Sequence, residues 1–301
     1  MQLLKKRFFL FLIFSFSILL LFITINTFQV LGRKDYLIIG SKNCTESQIV
    51  SEILVQYIQN TSDIKVKRKF NLEGTFICFE ALKSKAIDLY SEYTGTALIA
   101  ILKEDIIKDK VKAIDYLNKT FLEKYNISFL FPLGFENSYS ILINENLSKK
   151  YNIKTLSDLF KNQKKLMFAF TPEYSIRKEF DILKKSYNFN STYKLMDQSL
   201  TYLTLSNNII DVTNGFSTDS KIKTFNFLIL EDDKKVFSSY NCAILANNNI
   251  YKKFPKLKKI FKNLENKITN EKIRYLNYLA DEKQKYIYNL VKEFLTQEGL
   301  I

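Results

Sequence analysis

The chain has 301 residues, of which 47% are hydrophobic and 25% are charged, a composition typical of a globular protein with a large core. Histidine is absent, which excludes catalytic triads, general bases and metal sites that depend on an imidazole. The formal net charge is +14, which is compatible with a nucleic-acid or anionic membrane partner. The lysines are scattered along the whole chain, however, so the charge alone does not indicate a binding surface.

The first 32 residues have the pattern of a targeting segment. Basic residues at positions 5–7 precede an uncharged stretch over residues 8–32. This stretch is longer than the ~7–15 apolar residues of a signal peptide and is near the length of a spanning helix. No alanine precedes Ala81, so an A-x-A cleavage site is absent. We favour an uncleaved signal anchor, with a cleaved signal peptide as the alternative, and expect the rest of the chain outside the cytoplasm.

Three cysteines, Cys44, Cys78 and Cys242, are too far apart for a CxxC motif. In an oxidising compartment they allow at most one disulfide. The sequence does not indicate which two would pair, and we interpret Cys44 and Cys78 as small buried thiols.

The first third of the chain predicts a parallel α/β unit. Strands are expected at residues 36–40, 65–70 and 87–90, with helices after residue 45 and over residues 75–85. Residues 45–48 (Thr-Glu-Ser-Gln) predict a capping box. The β-α-β-α-β order implies a parallel sheet with helices on both faces. Ligands bind at the carboxyl ends of such strands, where Lys42 and residues 93–96 are expected.

The remainder of the chain predicts a second α/β unit followed by a helical region. Helical patterns extend to about residue 125, and residues 131–134 are interpreted as a crossing segment into the second unit. Residues 252–267 predict a surface helix with a solvated basic face. The further strands are expected at 139–144, 166–170, 210–212, 227–230 and 240–245, and the further helices near 156–160, 177–187, 200–207 and from 246 to 301.

Several short motifs follow one another between residues 36 and 300. They are Ile39-Gly-Ser-Lys-Asn-Cys-Thr-Glu46, Gly74-Thr75, Ile87-Asp-Leu-Tyr-Ser-Glu-Tyr-Thr-Gly-Thr96, Pro132-Leu-Gly-Phe-Glu-Asn-Ser-Tyr139, Phe216-Ser-Thr-Asp219, Leu230-Glu-Asp-Asp233 and Asn277-Tyr278. In this order they resemble the substrate-binding proteins of glycine betaine/choline (osmoprotectant) ABC transporters. The resemblance implies a type II periplasmic-binding-protein fold, in which two α/β lobes are joined by two hinge crossings. Residues 33–134 and 242–301 would form lobe I, residues 135–241 lobe II, and residues 1–32 the signal peptide or anchor helix.

The resemblance also implies a ligand site with two ends. A quaternary ammonium has no N–H to donate, so a protein holds it by apolar contact and by the faces of aromatic rings. The positions that match the aromatic cage of the family are Tyr93, Tyr139, Phe216 and Tyr240, and the family usually has Tyr where Phe216 stands.

The positions that match the residues for the carboxylate end of a betaine are Lys42, Thr96 and Arg177. Asn137 and Glu173 are further candidates, Asn137 through its backbone carbonyl and Glu173 through its backbone or its charge. No catalytic residue, metal ion or cofactor is expected.

We interpret the chain as an extracytoplasmic solute-binding protein and not as an enzyme. It would capture glycine betaine- or choline-type osmolytes and deliver them to a membrane permease driven by a cytoplasmic ATPase, and no nucleic-acid partner is expected. The alternative is a signal-anchored sensor or interaction protein that reuses the same fold. A serine hydrolase is disfavoured, because the S-x-x-K matches at residues 62–65, 175–178 and 220–223 lack the accompanying SDN and KTG motifs. The sequence does not rank glycine betaine, choline, carnitine and proline betaine.

Overall fold

The computed structural model describes residues 36–107, 109–238 and 240–301, together with Ser17. The expected targeting segment, residues 1–32, lies outside these described residues except for Ser17. Within the described ranges, no helix combines the length and the apolar character needed to cross a membrane.

Ten strands in the described ranges form two sheets of five. The first sheet has the order β2-β1-β3-β10-β4, and the second has the order β7-β6-β8-β5-β9. We refer to the first sheet with its helices as lobe I and to the second as lobe II. The strands are β1 (Tyr36–Lys42), β2 (Lys65–Leu72), β3 (Leu89–Tyr93), β4 (Ile127–Glu136), β5 (Tyr139–Asn144), β6 (Phe168–Phe170), β7 (Tyr193–Leu195), β8 (Val212–Phe216), β9 (Phe227–Ile229) and β10 (Asn241–Asn247).

The helices pack around these sheets. A π-helical turn (Ala97–Leu102) and a 3-10 turn (Gln163–Lys165) supplement them. The α-helices are α1 (Thr45–Thr61), α2 (Gly74–Lys83), α3 (Thr94–Thr96), α4 (Lys110–Tyr125), α5 (Glu145–Tyr151), α6 (Leu156–Lys161), α7 (Pro172–Ser175), α8 (Lys178–Ser186), α9 (Gln198–Ser206), α10 (Ser220–Phe225), α11 (Ile250–Lys253), α12 (Leu257–Leu264), α13 (Asn270–Asp281) and α14 (Ile287–Gln297).

The first three strands form the parallel unit that the sequence predicts. β1 pairs in parallel with β2 and with β3, while β10 is antiparallel to β3 and β4. One face of this sheet packs against α1 and the C-terminal helices, through buried residues such as Leu37, Ile53 and Val291. The other face packs against α2 and α4, through residues such as Phe79 and Phe121. Burial on both faces is why β1 opens with a continuous apolar run over residues 36–39.

The chain passes between the two sheets twice. β4 ends at Glu136 in the first sheet, and β5 begins at Tyr139 in the second. β9 ends at Ile229 in the second sheet, and β10 begins at Asn241 in the first. Residues 131–134 were expected to cross, but they lie within β4, where Pro132 pairs with Ala243. The first crossing is therefore limited to residues 137 and 138.

Three further expectations are wrong at the level of single elements. The helix α1 begins at Thr45 with Cys44 as its N-cap, and no side chain caps it. The Ser47 hydroxyl instead accepts a hydrogen bond from the backbone N–H of Lys42 at 2.9 Å. Cys44 is exposed and not buried, and all three cysteines are free. The expected helix at 252–267 is divided into α11 and α12, which lie on either side of Pro255.

The strand expected at 210–212 lies instead over 212–216 as β8. Its central residue, Asn214, is completely buried and satisfies its amide on a neighbouring segment. Its Oδ1 accepts from the backbone N–H of Thr171 at 2.9 Å, and its Nδ2 donates to the Thr171 hydroxyl at 3.2 Å. These non-local bonds stabilise a strand whose residues Thr-Asn-Gly have little strand propensity of their own except at Thr213.

Gly134 allows β4 to pass close to the segment before α13. Its φ is 118°, and a Cβ at this position would lie 2.6 Å from the carbonyl oxygen of Ile268 and 2.8 Å from Cα of Asn266. We predict that Gly134→Ala lowers the free energy of unfolding by roughly 2–5 kcal/mol, from backbone strain and overpacking together. Urea denaturation measures this change. Gly74→Ala is the control, because Gly74 has φ 68° with no atom within 4 Å of a Cβ. It should cost only about 1–2 kcal/mol, and equal losses in both variants would contradict the packing explanation.

Candidate functional site

Two aromatic side chains stand side by side in lobe II. The antiparallel register of β5 and β8 places Tyr139 opposite Phe216. Their ring centroids are 4.7 Å apart, with the ring planes inclined by 34°. Behind them lies Tyr174, which is fully buried and whose ring centroid is 4.9 Å from that of Tyr139. The sheet register thus produces a rigid aromatic wall from two of the four predicted cage residues.

The third predicted cage residue, Tyr93, ends β3 in lobe I. Its ring contacts Phe135 edge-on, with 6.5 Å between the centroids. Its phenol donates a short hydrogen bond to the carboxylate of Glu46 in the first turn of α1. The ring of Tyr93 is therefore held from both its face and its hydroxyl.

The fourth predicted cage residue, Tyr240, is the last residue of the second crossing and lies against the turn after β3. A Cβ at Gly95 would be 2.3–2.6 Å from three atoms of the Tyr240 ring. A side chain at position 95 would therefore collide with the ring, which explains the glycine. Thr96 is half-buried in the same turn, so the structure brings Tyr240, Tyr93 and Thr96 to one edge of the first sheet.

Arg177 lies over the aromatic wall of lobe II. Its guanidinium carbon is 5.2 Å from the ring centroid of Tyr139, and its Nη2 donates to Oε1 of Glu173 at 2.6 Å. The same carboxylate oxygen accepts a hydrogen bond from the Tyr139 phenol at 3.1 Å. The hydrogen bond from Arg177 is the largest cause that lowers the pKa of Glu173. Three predicted site residues thus form one connected group, in which the charge of Arg177 is already paired.

Lys42 is also paired with a protein carboxylate. Its ammonium forms an ion pair with Glu92, a completely buried residue of β3, and lies 5.3 Å from the ring centroid of Tyr93. Burial alone would lower the pKa of Lys42, but the charge and hydrogen bond of Glu92 outweigh it, and the pKa is raised. The lysine is therefore charged, and its first partner is Glu92.

Asn137 lies in the first crossing and contacts both Glu46 and Tyr240. Its Nδ2 donates to Oε1 of Glu46 at 3.3 Å, and its backbone N–H donates to the carbonyl of Tyr240 at 3.1 Å. The other oxygen of Glu46 accepts from Nδ2 of Asn277 at 2.8 Å. Burial raises the pKa of Glu46, although these hydrogen bonds oppose the shift.

Three buried carboxylates belong to this region but were not predicted as site residues: Glu46, Glu92 and Glu179. The first two lie inside the motifs that carry the family resemblance, so a search for carboxylates next to the predicted cations and aromatics would have found them. Glu179 lies outside those motifs. It is 8% exposed, and its Oε1 makes no hydrogen bond.

The phenol of Tyr240 makes no hydrogen bond either. Burial is the largest cause that raises the pKa of Tyr240 to about 12, and the negative charge of Glu179 is the second. Glu179 and Tyr240 are therefore near neighbours that interact, although neither Oε1 of Glu179 nor the Tyr240 phenol has a hydrogen bond of good geometry.

A cavity of about 380 Å³ lies beside these groups, between the lobes. The exposed ion pair of Lys178 with Asp105, 3.5 Å long, connects its two sides. Among the described residues, no group of three or more cysteine or acidic side chains suits a metal ion. The cavity is lined by Ile99, Glu104, Asp105 and Ile106 of lobe I and by Arg177, Lys178, Glu179, Ile182 and Ser238.

Comparisons with known proteins identify the family. The OpuAC family, described as the substrate binding domain of ABC-type glycine betaine transport systems, matches residues 35–297. The carnitine transport binding protein OpuCC of Listeria monocytogenes is 36% identical over 306 residues, which cover 98% of each chain. The ergothioneine transport permease/ergothioneine binding protein EgtU of Helicobacter pylori is 32% identical over 269 residues, which cover 88% of this chain and 48% of EgtU.

Solved structures agree with this result. The crystal structure of a glycine betaine/carnitine/choline ABC transporter protein superimposes with a TM-score of 0.82 and 32% identity, covering 88% of this chain and 99% of the other. Apo YehZ from Escherichia coli superimposes with a TM-score of 0.78 at 18% identity, over 88% of this chain and 99% of YehZ, and supports the fold alone. The expected periplasmic-binding-protein fold is confirmed, and the chain belongs to the OpuAC family of substrate-binding domains of ABC-type glycine betaine transport systems.

Proposed function

We propose that this protein captures quaternary ammonium osmolytes such as glycine betaine, carnitine or choline in an aromatic cage. The observation that carries the proposal is the paired wall of Tyr139 and Phe216, with Tyr93 and Tyr240 on the side of lobe I. A cation without N–H groups gains about 0.5–2 kcal/mol from each aromatic face in a dry site. Several faces together supply much of the roughly −8 kcal/mol that corresponds to micromolar affinity.

The polar end of a zwitterionic ligand would be received by Lys42, Thr96 and Arg177. Both cations already contact protein carboxylates, so a ligand carboxylate would share or replace these partners. Arg177 is the more adaptable of the two, because its partner Glu173 is 65% exposed while the partner of Lys42 is fully buried. Asn137 would face the ligand from the crossing, where its Oδ1 is buried without a hydrogen bond.

Membership of the family suggests where the protein works and to which partners it delivers the ligand. We propose that the chain works at the outer face of the cytoplasmic membrane, held by its N-terminal segment. Residues 33–134 with 242–301 would close against residues 135–241 around the ligand, and the closed form would dock on an ABC permease driven by a cytoplasmic ATPase. EgtU, whose name joins a permease with a binding protein, supports a permease as the partner.

The proposal is tested by a thermal-shift panel on the full-length chain. The compounds are glycine betaine, choline, carnitine, proline and spermidine. A ligand at 100 times its dissociation constant adds ~2.7 kcal/mol of stability, which is an easily measured shift. Shifts with quaternary ammonium compounds alone are expected. If none of them shifts the transition, the proposed ligand class is wrong.

The ring of Phe216 should contribute through its face alone, because it has no hydroxyl. We predict that Phe216→Leu, which keeps apolar bulk, weakens binding of quaternary ammonium compounds by about 2- to 30-fold. Phe216→Tyr, the residue usual in the family, should retain affinity. Phe225→Leu is the control, because Phe225 stacks on Phe227 away from the aromatic wall. Isothermal titration calorimetry gives the affinities, and an equal effect of both Leu variants would remove Phe216 from the cage.

The role of Arg177 in holding a carboxylate is tested against its neighbour. We predict that Arg177→Met weakens glycine betaine binding by roughly tenfold or more and choline binding only slightly, since choline has no carboxylate. Lys178→Met removes the same charge from a side chain that is 88% exposed, so it should leave both affinities nearly unchanged. Competition binding with both ligands measures the ratio. Similar losses for the two ligands would contradict the carboxylate role.

A further inference from the structure

Glu179 is a buried acidic group that the assigned roles leave unexplained. It is the second residue of α8, it is 8% exposed, and it lines the cavity between the lobes. Its Oε1 is buried without a hydrogen-bond partner. A buried carboxylate oxygen in this situation is costly for the protein, because burial removes its hydration and no hydrogen bond to Oε1 replaces it. Its place in the first turn of a helix favours the negative charge.

The cations near Glu179 are already engaged by other carboxylates. Arg177 binds Glu173 at 2.6 Å, and Lys178 contacts Asp105 at 3.5 Å. On the other side of the site, Lys42 is paired with Glu92. Each predicted cation is thus compensated locally, and within the described part of the chain Glu179 forms no ion pair.

The charge of Glu179 acts on the aromatic residues of the site. Burial is the main cause that raises the pKa of Tyr139, Tyr174 and Tyr240, and in each case the negative charge of Glu179 contributes in the same direction. Of these three, Tyr240 and Tyr174 have phenols without any hydrogen bond. The carboxylate therefore lies close enough to the cage for its field to reach a cation bound there.

We propose that Glu179 is the counter-charge for the bound ammonium group, so that the site favours ligands with a net positive charge, such as choline, over zwitterionic betaines. This inference rests on the proposed function. A quaternary ammonium cannot donate a hydrogen bond, so Glu179 attracts it through charge alone. In a betaine, the same carboxylate attracts the ammonium and repels the ligand's own carboxylate, and the two effects partly cancel. Glu179 thus determines specificity by favouring ligands with a net positive charge.

The test compares choline with glycine betaine by isothermal titration calorimetry on the full-length chain. The wild type should bind choline at least about tenfold more tightly than glycine betaine. Glu179→Gln keeps the size of the side chain and removes its charge, and it should reduce that ratio by about tenfold or more. Asp105→Asn is the matched control, because Asp105 lines the same cavity but is 97% exposed. Solvent screens its charge, so the ratio should change by less than about twofold.

The outcomes separate this inference from the proposed function. If the wild type binds none of choline, glycine betaine and carnitine, the proposed function fails and this inference fails with it, whereas binding of carnitine alone would overturn only this inference. If the wild type binds both but prefers glycine betaine, or if Glu179→Gln leaves the ratio unchanged, the inference is wrong while the proposed function stands. A circular dichroism melt shows whether Glu179→Gln folds. If it does not fold, the ratio of choline affinity to glycine betaine affinity in the wild type tests the inference by itself.

Discussion

The carboxylate of Glu46 is buried where lobe I meets the first crossing, and so it must be satisfied by hydrogen bonds. It accepts one from Tyr93 at the end of β3, one from Asn137 in the crossing and one from Asn277 in α13. Asn277 also donates to the backbone carbonyl of Thr218 at 3.0 Å, just after β8 of lobe II. An unsatisfied buried charge would cost several kcal/mol. The need to avoid that cost fixes the ring of Tyr93, the crossing and the contact between the lobes relative to one another.

The same principle governs the predicted carboxylate end of the site, where each cation has a protein partner. The pair of Lys42 with Glu92 is almost fully buried, so removing either partner would leave an uncompensated charge in the core. The pair of Arg177 with Glu173 is partly solvated, so its partners can be exchanged at a lower cost. Lys42 is therefore a structural ion pair first, whereas the pair of Arg177 with Glu173 is the easier of the two to break.

The sequence correctly predicts those strands and helices whose own residues favour that conformation. β5 is observed over 139–144 as expected, because its β-branched and apolar run Ile141-Leu142-Ile143 carries the strand signal itself. The strand predicted at 210–212 is observed at 212–216 as β8. Its position depends on Asn214, which is stabilised by Thr171, 43 residues away. β4 was read as a crossing because Pro132 and Gly134 normally interrupt strands, and only the pairing with β10 reveals that the strand continues.

The residues of the candidate site also divide into those marked by nearby residues in the sequence and those that depend on distant contacts. The four aromatic residues and the two cations were predicted from motifs, since their positions in the family are marked by neighbouring residues. Of the buried carboxylates, Glu46 and Glu92 lie inside the motifs and could have been predicted there, although their partners are distant in the sequence, whereas Glu179 lies outside every motif. Glu46 takes a hydrogen bond from Asn277, 231 residues away. Glu179 stands out because its buried Oε1 has no hydrogen bond. A missing hydrogen bond leaves no pattern in the sequence.

The hydroxyl groups of the predicted cage explain why phenylalanine is acceptable at position 216. The phenol of Tyr93 is engaged by Glu46, and that of Tyr139 is engaged by Glu173. These two hydroxyls position their rings against protein carboxylates and so leave only the ring faces for a ligand. Phe216 is positioned instead by its register with Tyr139 and by ring contact, and it needs no carboxylate partner. A cage that recognises a cation without N–H groups requires faces and not hydroxyls, so under the proposed function phenylalanine at position 216 keeps the part of the ring that such a ligand would contact.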